Sequence, residues 1–396
     1  MKIAHHRLRR ACAIIIGLVL LASSLLKLMD PVGTGLIVEE YFNFFHLGLL
    51  KGAAKVLGAI LGLFEGTLGA ALVTGVWRKT VAKLTWILLG FFTLVTLILW
   101  IFNPQMDCGC FGEAIHLTHF QSFLKNLVLL ALACGAFIPF TQFGIPRQRK
   151  KVSFVLSAVA LLIALWYSWK HIPLIDFTEF APGVELYASL DNDYQEEDGL
   201  FPTLLFEKDG QTGSFTPGLL PDSSWTFIGV DTLKRNGPYF PQNKPLLSFT
   251  DAEGEYQDEQ AVLGRVVIFS VYKPEKADWK RIEQQSESAK QYGAKSFVLV
   301  AADPETIDEL SVPPTLELFY ADYKTLLTLN RSNGGGVYFC NGELVTKWAL
   351  CDAPKNDRMQ LILGADPIDI STQDVIKHRI LAQGFCLYLA ALLLLL

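Results

Sequence analysis

Charge is scarce in this chain. Only 18% of its 396 residues are charged while 51% are hydrophobic, a balance too apolar for an ordinary soluble protein of this size. The length permits two or three domains and excludes a peptide or a small disulfide scaffold. The second half lacks a basic stripe, so no nucleic-acid partner is expected. There is no internal repeat, and no low-complexity segment apart from the terminal leucines. A second Cys-x-Cys or Cys-x-x-Cys element is missing too, which argues against a four-thiolate zinc site.

The charge that is present is split. Residues 1–175 hold 16 Lys/Arg and 6 Asp/Glu, a net +10, whereas residues 176–378 hold 17 and 33, a net −16. A basic, apolar half joined to an acidic, ordinary half reads as a membrane part plus a water-soluble part. A bilayer core of about 30 Å needs roughly 20 apolar residues in helix. Five stretches qualify: Ala11–Met29, Val56–Trp77, Leu84–Phe102, Ser122–Phe140 and Val152–Trp169. A sixth, Ile380–Leu396, ends the chain without a polar tail, so it is either short or truncated. The first stretch follows Arg7, Arg9 and Arg10 as a secretory signal would, but its apolar run is long for one and further spans follow. It is expected to stay as a helix.

Lys and Arg near the span ends set orientation. Arg7, Arg9 and Arg10, then Arg78, Lys79 and Lys83, then Arg147, Arg149, Lys150 and Lys151 mark three inner segments. The loops between them carry Asp30, Glu39, Glu40, Asp107 and Glu113 instead. The N-terminus is therefore expected in the cytoplasm and residues 176–378 in the periplasm of a bacterial inner (plasma) membrane. Residues 38–55 alternate apolar and polar at helical spacing, consistent with an amphipathic surface helix or with an extension of the second span. The expected domains are a four-span unit at 1–145, a fifth span and linker at 146–175, an outer domain at 176–378, and a last span at 379–396.

The outer domain reads as mixed α/β. Residues 265–272 and 296–301 look like buried strands, with helices at 275–291 and 304–310 and a third short strand at 316–319. Residues 336–340 and 343–348 flank Asn341-Gly342, a hairpin signal. Strands and turns are also expected at 201–206, 208–210 and 246–257.

Of seven cysteines, Cys12, Cys134 and Cys386 lie within predicted spans and read as small apolar residues. Cys340 and Cys351 lie too far apart along the hairpin to pair. Cys108 and Cys110 differ. They occur in Asp107-Cys108-Gly109-Cys110-Phe111-Gly112, in an outer loop facing an oxidising compartment. A disulfide across one glycine closes a very small ring, hence a labile, exchangeable bond. Redox use, metal binding and an inert pair are the three readings. Met106, Cys108, Cys110, His116 and His119 offer the metal reading soft sulfur and imidazole suited to Cu(I). Two ionisable residues lie inside spans, where charge is costly and marks function. Lys27 either lowers a thiol pKa or snorkels to the interface. Glu65 relays protons, faces a quinone, or makes a polar contact between helices.

These residues carry a resemblance. Asn103-Pro104-Gln105-Met106-Asp107-Cys108-Gly109-Cys110-Phe111-Gly112, with Ser24-Leu25-Leu26-Lys27-Leu28-Met29-Asp30-Pro31 and Phe64-Glu65-Gly66, resembles the MauE branch of the DoxX-like membrane proteins over residues 10–145. The resemblance implies a four-helix membrane bundle that supports disulfide formation or redox maturation of exported proteins. Analogy with DsbB-like and vitamin K epoxide reductase-like bundles adds a quinone as electron acceptor. Residues 200–350 are similar to thioredoxin-like domains. The position of that fold's redox Cys-x-x-Cys reads Tyr272-Lys273-Pro274-Glu275-Lys276-Ala277, and Ser332-Asn333-Gly334-Gly335-Gly336 lacks the expected cis-proline. Both departures imply a degenerate docking module. The fusion resembles an arrangement of Bacteroidetes-type proteins. The expected fold is thus an α-helical membrane bundle with an outer α/β thioredoxin-like domain. The expected function is a thiol–disulfide oxidoreductase component with Cys108, Cys110, Lys27 and Glu65 at its site. Its partners would be the lipid bilayer and an exported thiol protein or soluble thioredoxin-like protein. The alternatives are a copper-handling assembly factor and a non-enzymatic scaffold.

Overall fold

The apolar runs become long helices because a continuous helix satisfies its own backbone where water is absent. A computed structural model describes residues 2–138, 148–186, 203–208, 211–215, 226–231 and 244–395. Among them six helical segments are long and apolar enough to cross a membrane. The N-terminal helices are α1 (Lys2–Met29), α2 (Pro31–Phe44), α3 (Ala54–Thr74), α4 (Arg78–Phe102), α5 (His119–Phe137) and α6 (Gln148–Lys170); all but the short α2 belong to candidate spans, and the sixth span is Pro367–Leu393. The expected span at 122–140 closes at Phe137, and its last two residues, with Arg147 of the following loop, lie outside the described residues.

Residues 38–55 form neither a single surface helix nor a plain extension of the next span. Asp30 caps α2, its side chain accepting from the Gly33 N–H, and Pro31 takes the first helical turn, where its missing N–H costs nothing. That start signal pulls α2 seven residues upstream of the expected position. The chain then turns through His46, at φ +57°, into a 3₁₀ helix over Gly48–Ala53 that leads into α3.

Helices α1 and α3 run against each other as the central pair. Arg10 donates to the Leu72 carbonyl at 2.7 Å and to that of Val73, closing the exposed carbonyls at the end of α3. Midway, Gly17 and Gly69 let the two backbones touch, since a Cβ on Gly69 would lie 2.7 Å from the Gly17 carbonyl. Close approach through small residues is what holds helices together in lipid. Ile16, Leu20, Leu68, Leu72, Leu89 and Leu129 fill the bundle core around this seam.

The outer domain centres on a five-stranded sheet of order β7-β6-β5-β8-β9. Its strands are β5 (Arg265–Val271), β6 (Lys295–Val300), β7 (Leu318–Tyr320), β8 (Gly335–Cys340) and β9 (Glu343–Trp348). The first three are parallel, joined by α7 (Trp279–Gln291) and α8 (Pro304–Asp308); β8 and β9 are antiparallel. The hairpin turns at Asn341-Gly342, both at positive φ, as the sequence predicts. Side chains of β5 alternate between two cores, Val267 and Phe269 facing Ile282 and Met359, Val266 and Ile268 facing Phe249 and Leu326. A strand buried on both faces has no polar stripe, hence its continuous apolar run.

Other expectations are corrected. Residues 246–257 form isolated bridges rather than a strand, because Thr250 pairs singly with Tyr256 and Tyr320. The strand expected at 201–206 is β2 (Thr203–Lys208), antiparallel to β3 (Gln211–Phe215) and β4 (Thr226–Asp231) in a separate sheet; residues 201–202 and 209–210 lie outside the described residues. Two helices were not anticipated: α9 (Tyr323–Leu329), capped by Asp322, and α10 (Asn356–Gly364). The last helix, α11 (Pro367–Leu395), runs through the expected boundary at 378/379 without a break.

Replacing Gly69 with valine forces a branched side chain into the α1–α3 seam. Overpacking of this kind costs about 1–3 kcal/mol, so a lowered unfolding temperature in detergent is expected, whereas Gly90→Val, where a Cβ meets nothing within 4 Å, leaves it near the wild-type value.

Candidate functional site

The cysteine loop is held over one end of the bundle by the residues on either side of it. Gly109 and Gly112 stand at φ +59° and +60°, a conformation side-chain-bearing residues rarely adopt, and β1 (Cys110–Glu113) follows the turn. Tyr41 on α2 donates to the Cys108 carbonyl at 2.7 Å. Ser23 on α1 lies 2.6 Å from the Cys110 carbonyl. The loop is thus tied to two helices through its backbone and not through its sulfurs, and none of the seven cysteines is in a disulfide.

His119 meets the thiol. Its Nδ1 lies 2.8 Å from Cys108 Sγ and its Nε2 lies 2.9 Å from the Pro104 carbonyl. A carbonyl only accepts, so Nε2 carries the proton and Nδ1 of the neutral ring accepts from the Cys108 thiol. That is the arrangement of a nucleophile with its base. Burial pushes the Cys108 thiol above its ordinary value, which the Ser122 hydroxyl opposes. His119 is where it is because it opens α5. Thr118 accepts from the Gln121 N–H while the Gln121 side chain accepts from the Thr118 N–H, a reciprocal cap that begins the helix beside the loop. The Thr-x-x-Gln signature before an apolar run was the available clue to where α5 begins; no sequence signal pairs His119 with Cys108.

The structure brings Lys27 to Glu65. Lys27 Nζ lies 2.6 Å from Glu65 Oε1, with both side chains almost completely buried. The ammonium therefore neither snorkels nor stands free beside the thiols. Ser23 links this pair to the loop, its hydroxyl 2.7 Å from Glu65 Oε2 as well as at the Cys110 carbonyl. One hydroxyl proton serves two acceptors, so it can switch between them. His116 goes elsewhere, to Asp107 at 2.9 Å on the exposed side. Among the described residues the His, Cys, Asp and Glu donors of this loop form no three-ligand group.

Beneath the loop lies a cavity of about 600 Å³. Cys108, Cys110, Lys27, Glu65, Tyr41 and Lys125 are among its polar groups, and apolar residues of α1 to α5 such as Val19, Ile37, Leu61, Phe92 and Leu129 make up most of the wall. A large apolar pocket with a few convergent polar groups is the usual form of a small-molecule site.

With this geometry in view, the comparisons have a place to attach. Residues 6–139 match the family model described as methylamine utilisation protein MauE. They form a MauE-family domain. The match covers the helices α1 to α5 and the whole cysteine loop, and the six candidate spans fit a multi-pass membrane protein in a lipid bilayer. No curated protein and no solved structure matches the chain.

The outer domain grips the MauE-family domain beside the cysteines. Arg331, at the end of the segment leading into β8, is buried and donates to Asp30 at 3.0 Å and to Glu113. Asp30 is the cap of α2 and Glu113 is the last residue of β1. One guanidinium thus ties the outer sheet to both ends of the frame that holds the loop. Tyr272, on the end of β5, supports it by donating to the Arg331 carbonyl at 3.0 Å, and Lys324 adds a contact to Glu40 at 3.0 Å. Burial pushes the Glu113 carboxyl up, with Arg331 opposing. Burial alone would lower Arg331, but Asp30 and Glu113 hold it above its ordinary value.

Two outcomes are expected. Arg331→Met strands two carboxylates, a loss of about 3–5 kcal/mol for a broken buried pair. Glu113 then loses the cation that opposes its burial and titrates still higher. A raised carboxyl favours the folded state when protonated and loses that contribution as pH rises through its folded value, so the deficit of Arg331→Met in thermal unfolding shrinks toward acid pH. His119→Ala removes the acceptor of the Cys108 proton. In a Cys110→Ser background, iodoacetamide is expected to alkylate Cys108 about tenfold more slowly near neutral pH, with the rate profile displaced to higher pH.

Proposed function

We propose that this chain is a membrane thiol–disulfide oxidoreductase component in which Cys108 and Cys110 cycle between dithiol and disulfide. The observation that carries the reading is the Cys108–His119 pair, a thiol with its base at 2.8 Å, on the wall of an apolar cavity that Cys110 also lines. A structural cysteine pair needs no base and no cavity. The charge asymmetry of the span ends supports a cytoplasmic N-terminus and a periplasmic cysteine loop in a bacterial inner membrane.

In the oxidised state a thiolate of an exported client attacks Cys110, the more accessible sulfur. The Cys108–Cys110 bond breaks, a client–Cys110 disulfide forms, and Cys108 leaves as a thiolate beside His119. The client's second thiolate attacks its own bound sulfur, so the client departs with a disulfide and the chain holds two reduced cysteines. Re-forming the Cys108–Cys110 bond releases two electrons and two protons. A quinone in the cavity would accept both and leave as quinol; Lys27, Tyr41 and Lys125 are the polar groups that would orient it. His119 takes the Cys108 proton, and Ser23 with Glu65 offers a proton path beside Cys110.

The outer domain, in this reading, is a degenerate thioredoxin-like module that docks the client. The support is its strand–helix–strand–hairpin order and the absence of cysteine where a redox pair would stand.

In wild-type cells quenched with acid, Cys108 and Cys110 are expected to resist alkylation until a reductant opens their disulfide, whereas the lone Cys110 of Cys108→Ser is alkylated directly. Purified wild-type protein, fully reduced, is expected to lose two thiols for each short-chain quinone reduced. Loop cysteines that are never oxidised in cells, together with no quinone-dependent thiol loss, would sink the proposal.

A further inference from the structure

The outer end of α6 carries a second cluster of reactive side chains, away from the cysteine loop. His171 follows directly after α6, and Cys351 and Asp352 lie in a 3₁₀ turn, Leu350–Asp352, just beyond β9. Folding brings them together across some 180 residues of chain. His171 Nδ1 lies 2.5 Å from Asp352 Oδ2 and 3.8 Å from Cys351 Sγ. The three donor atoms all fall within 4.8 Å of one another.

We propose that His171, Cys351 and Asp352 bind a borderline divalent metal ion, Zn²⁺ before others. The arrangement does not suit a nucleophile relay. There the acid and the thiol occupy opposite ring nitrogens, whereas here both approach Nδ1. Lone pairs converging on one point are what a cation requires. With Zn–S near 2.3 Å and Zn–N near 2.0–2.1 Å, a tetrahedral site separates S and N by about 3.6 Å, close to the 3.8 Å found. Nitrogen and oxygen in such a site stand about 3.3 Å apart, so Asp352 must back off from its 2.5 Å contact. Its side chain, 44% exposed, has room to do so.

The donor set chooses the metal. One thiolate, one imidazole and one carboxylate suit Zn²⁺; Cu(I) favours more sulfur, and Mg²⁺ or Ca²⁺ only oxygen. Water completes the fourth position on the open face. Two neighbours organise the ligands. Tyr167, one turn back on α6, stacks on the His171 ring with centroids 4.4 Å apart, and Arg281 on α7 donates to the Cys351 carbonyl at 3.2 Å, steadying the turn. The Cys351 thiol donates to the Lys170 carbonyl at 3.0 Å; metal binding releases that proton. Because His171 belongs to the membrane part and the other two ligands to the outer domain, the bound ion would staple one to the other.

Cobalt reports thiolate ligation directly. Full-length protein in detergent, stripped with chelator, is titrated with Co²⁺ and then with Zn²⁺. The expected result is a thiolate-to-cobalt charge-transfer band that saturates at one equivalent and is bleached by one equivalent of Zn²⁺. The band persists in the Cys108→Ser, Cys110→Ser double variant, disappears in Cys351→Ser, and needs at least about tenfold more Co²⁺ in His171→Gln. Zn²⁺ also slows maleimide labelling of Cys351 in the wild type. The side chains are partly exposed, so the variants are expected to unfold at the wild-type temperature in chelator. A wild-type protein without the band, or a band that survives Cys351→Ser, overturns the site.

Discussion

A buried ion pair inside an apolar bundle organises this protein. Lys27 and Glu65 each would be prohibitively placed alone, since an unpaired charge at that depth costs several kcal/mol. At 2.6 Å from each other they hold α1 against α3 in one register, the same register in which Gly17 meets Gly69 and Arg10 reaches the carbonyls at the end of α3. Apolar packing in lipid specifies a partner face only loosely. The pair adds direction, and through Ser23 it carries that direction to the Cys110 carbonyl. The position of the cysteine loop is in this sense a consequence of where two charges inside the bundle must meet.

From the other side the loop is framed by Arg331. Its two carboxylates sit at the start of α2 and the end of β1, so the outer domain is joined to the structure around the thiols rather than to the thiols themselves. The walls of the cavity come entirely from the helices and loop of the MauE-family domain. The two halves of the chain therefore divide the work: the bundle supplies the enclosed, apolar surroundings of the sulfurs, and the C-terminal domain braces the frame of the loop through Arg331.

Much of this organisation was legible in the residues. Apolar length located the helices, since a bilayer demands it, and the β-branched runs located β5 and β6. Asn341-Gly342 announced its hairpin, because few residue pairs accept two positive φ values. The cysteine loop, Lys27 and Glu65 stood out for the same reason: each is chemically expensive where it occurs. Other features were hidden. The start of α2 was misplaced because Asp30-Pro31, a cap and a first-turn proline, outweighs the polar–apolar alternation over 38–55. His119 looked like one donor of a metal set, and only folding, which starts α5 beside the loop and holds the ring on the Pro104 carbonyl, brings it to Cys108. Arg331 had no sequence signal, being one arginine in a loop 301 residues from Asp30.

By itself the sequence determined the membrane division, the number of long apolar helices and the residues with chemistry to offer, because hydrophobic length, charge and cysteine spacing are local properties of the chain. Tertiary structure alone decided which of those residues touch. It gave Lys27 to Glu65 instead of to a thiol, His119 to Cys108, Arg331 to two carboxylates of the other domain, and His171 to Cys351 and Asp352. Pairings across long stretches of chain follow from how helices and sheet pack, and an electrostatic or hydrogen-bonded contact exists only once packing has brought its partners within a few ångströms.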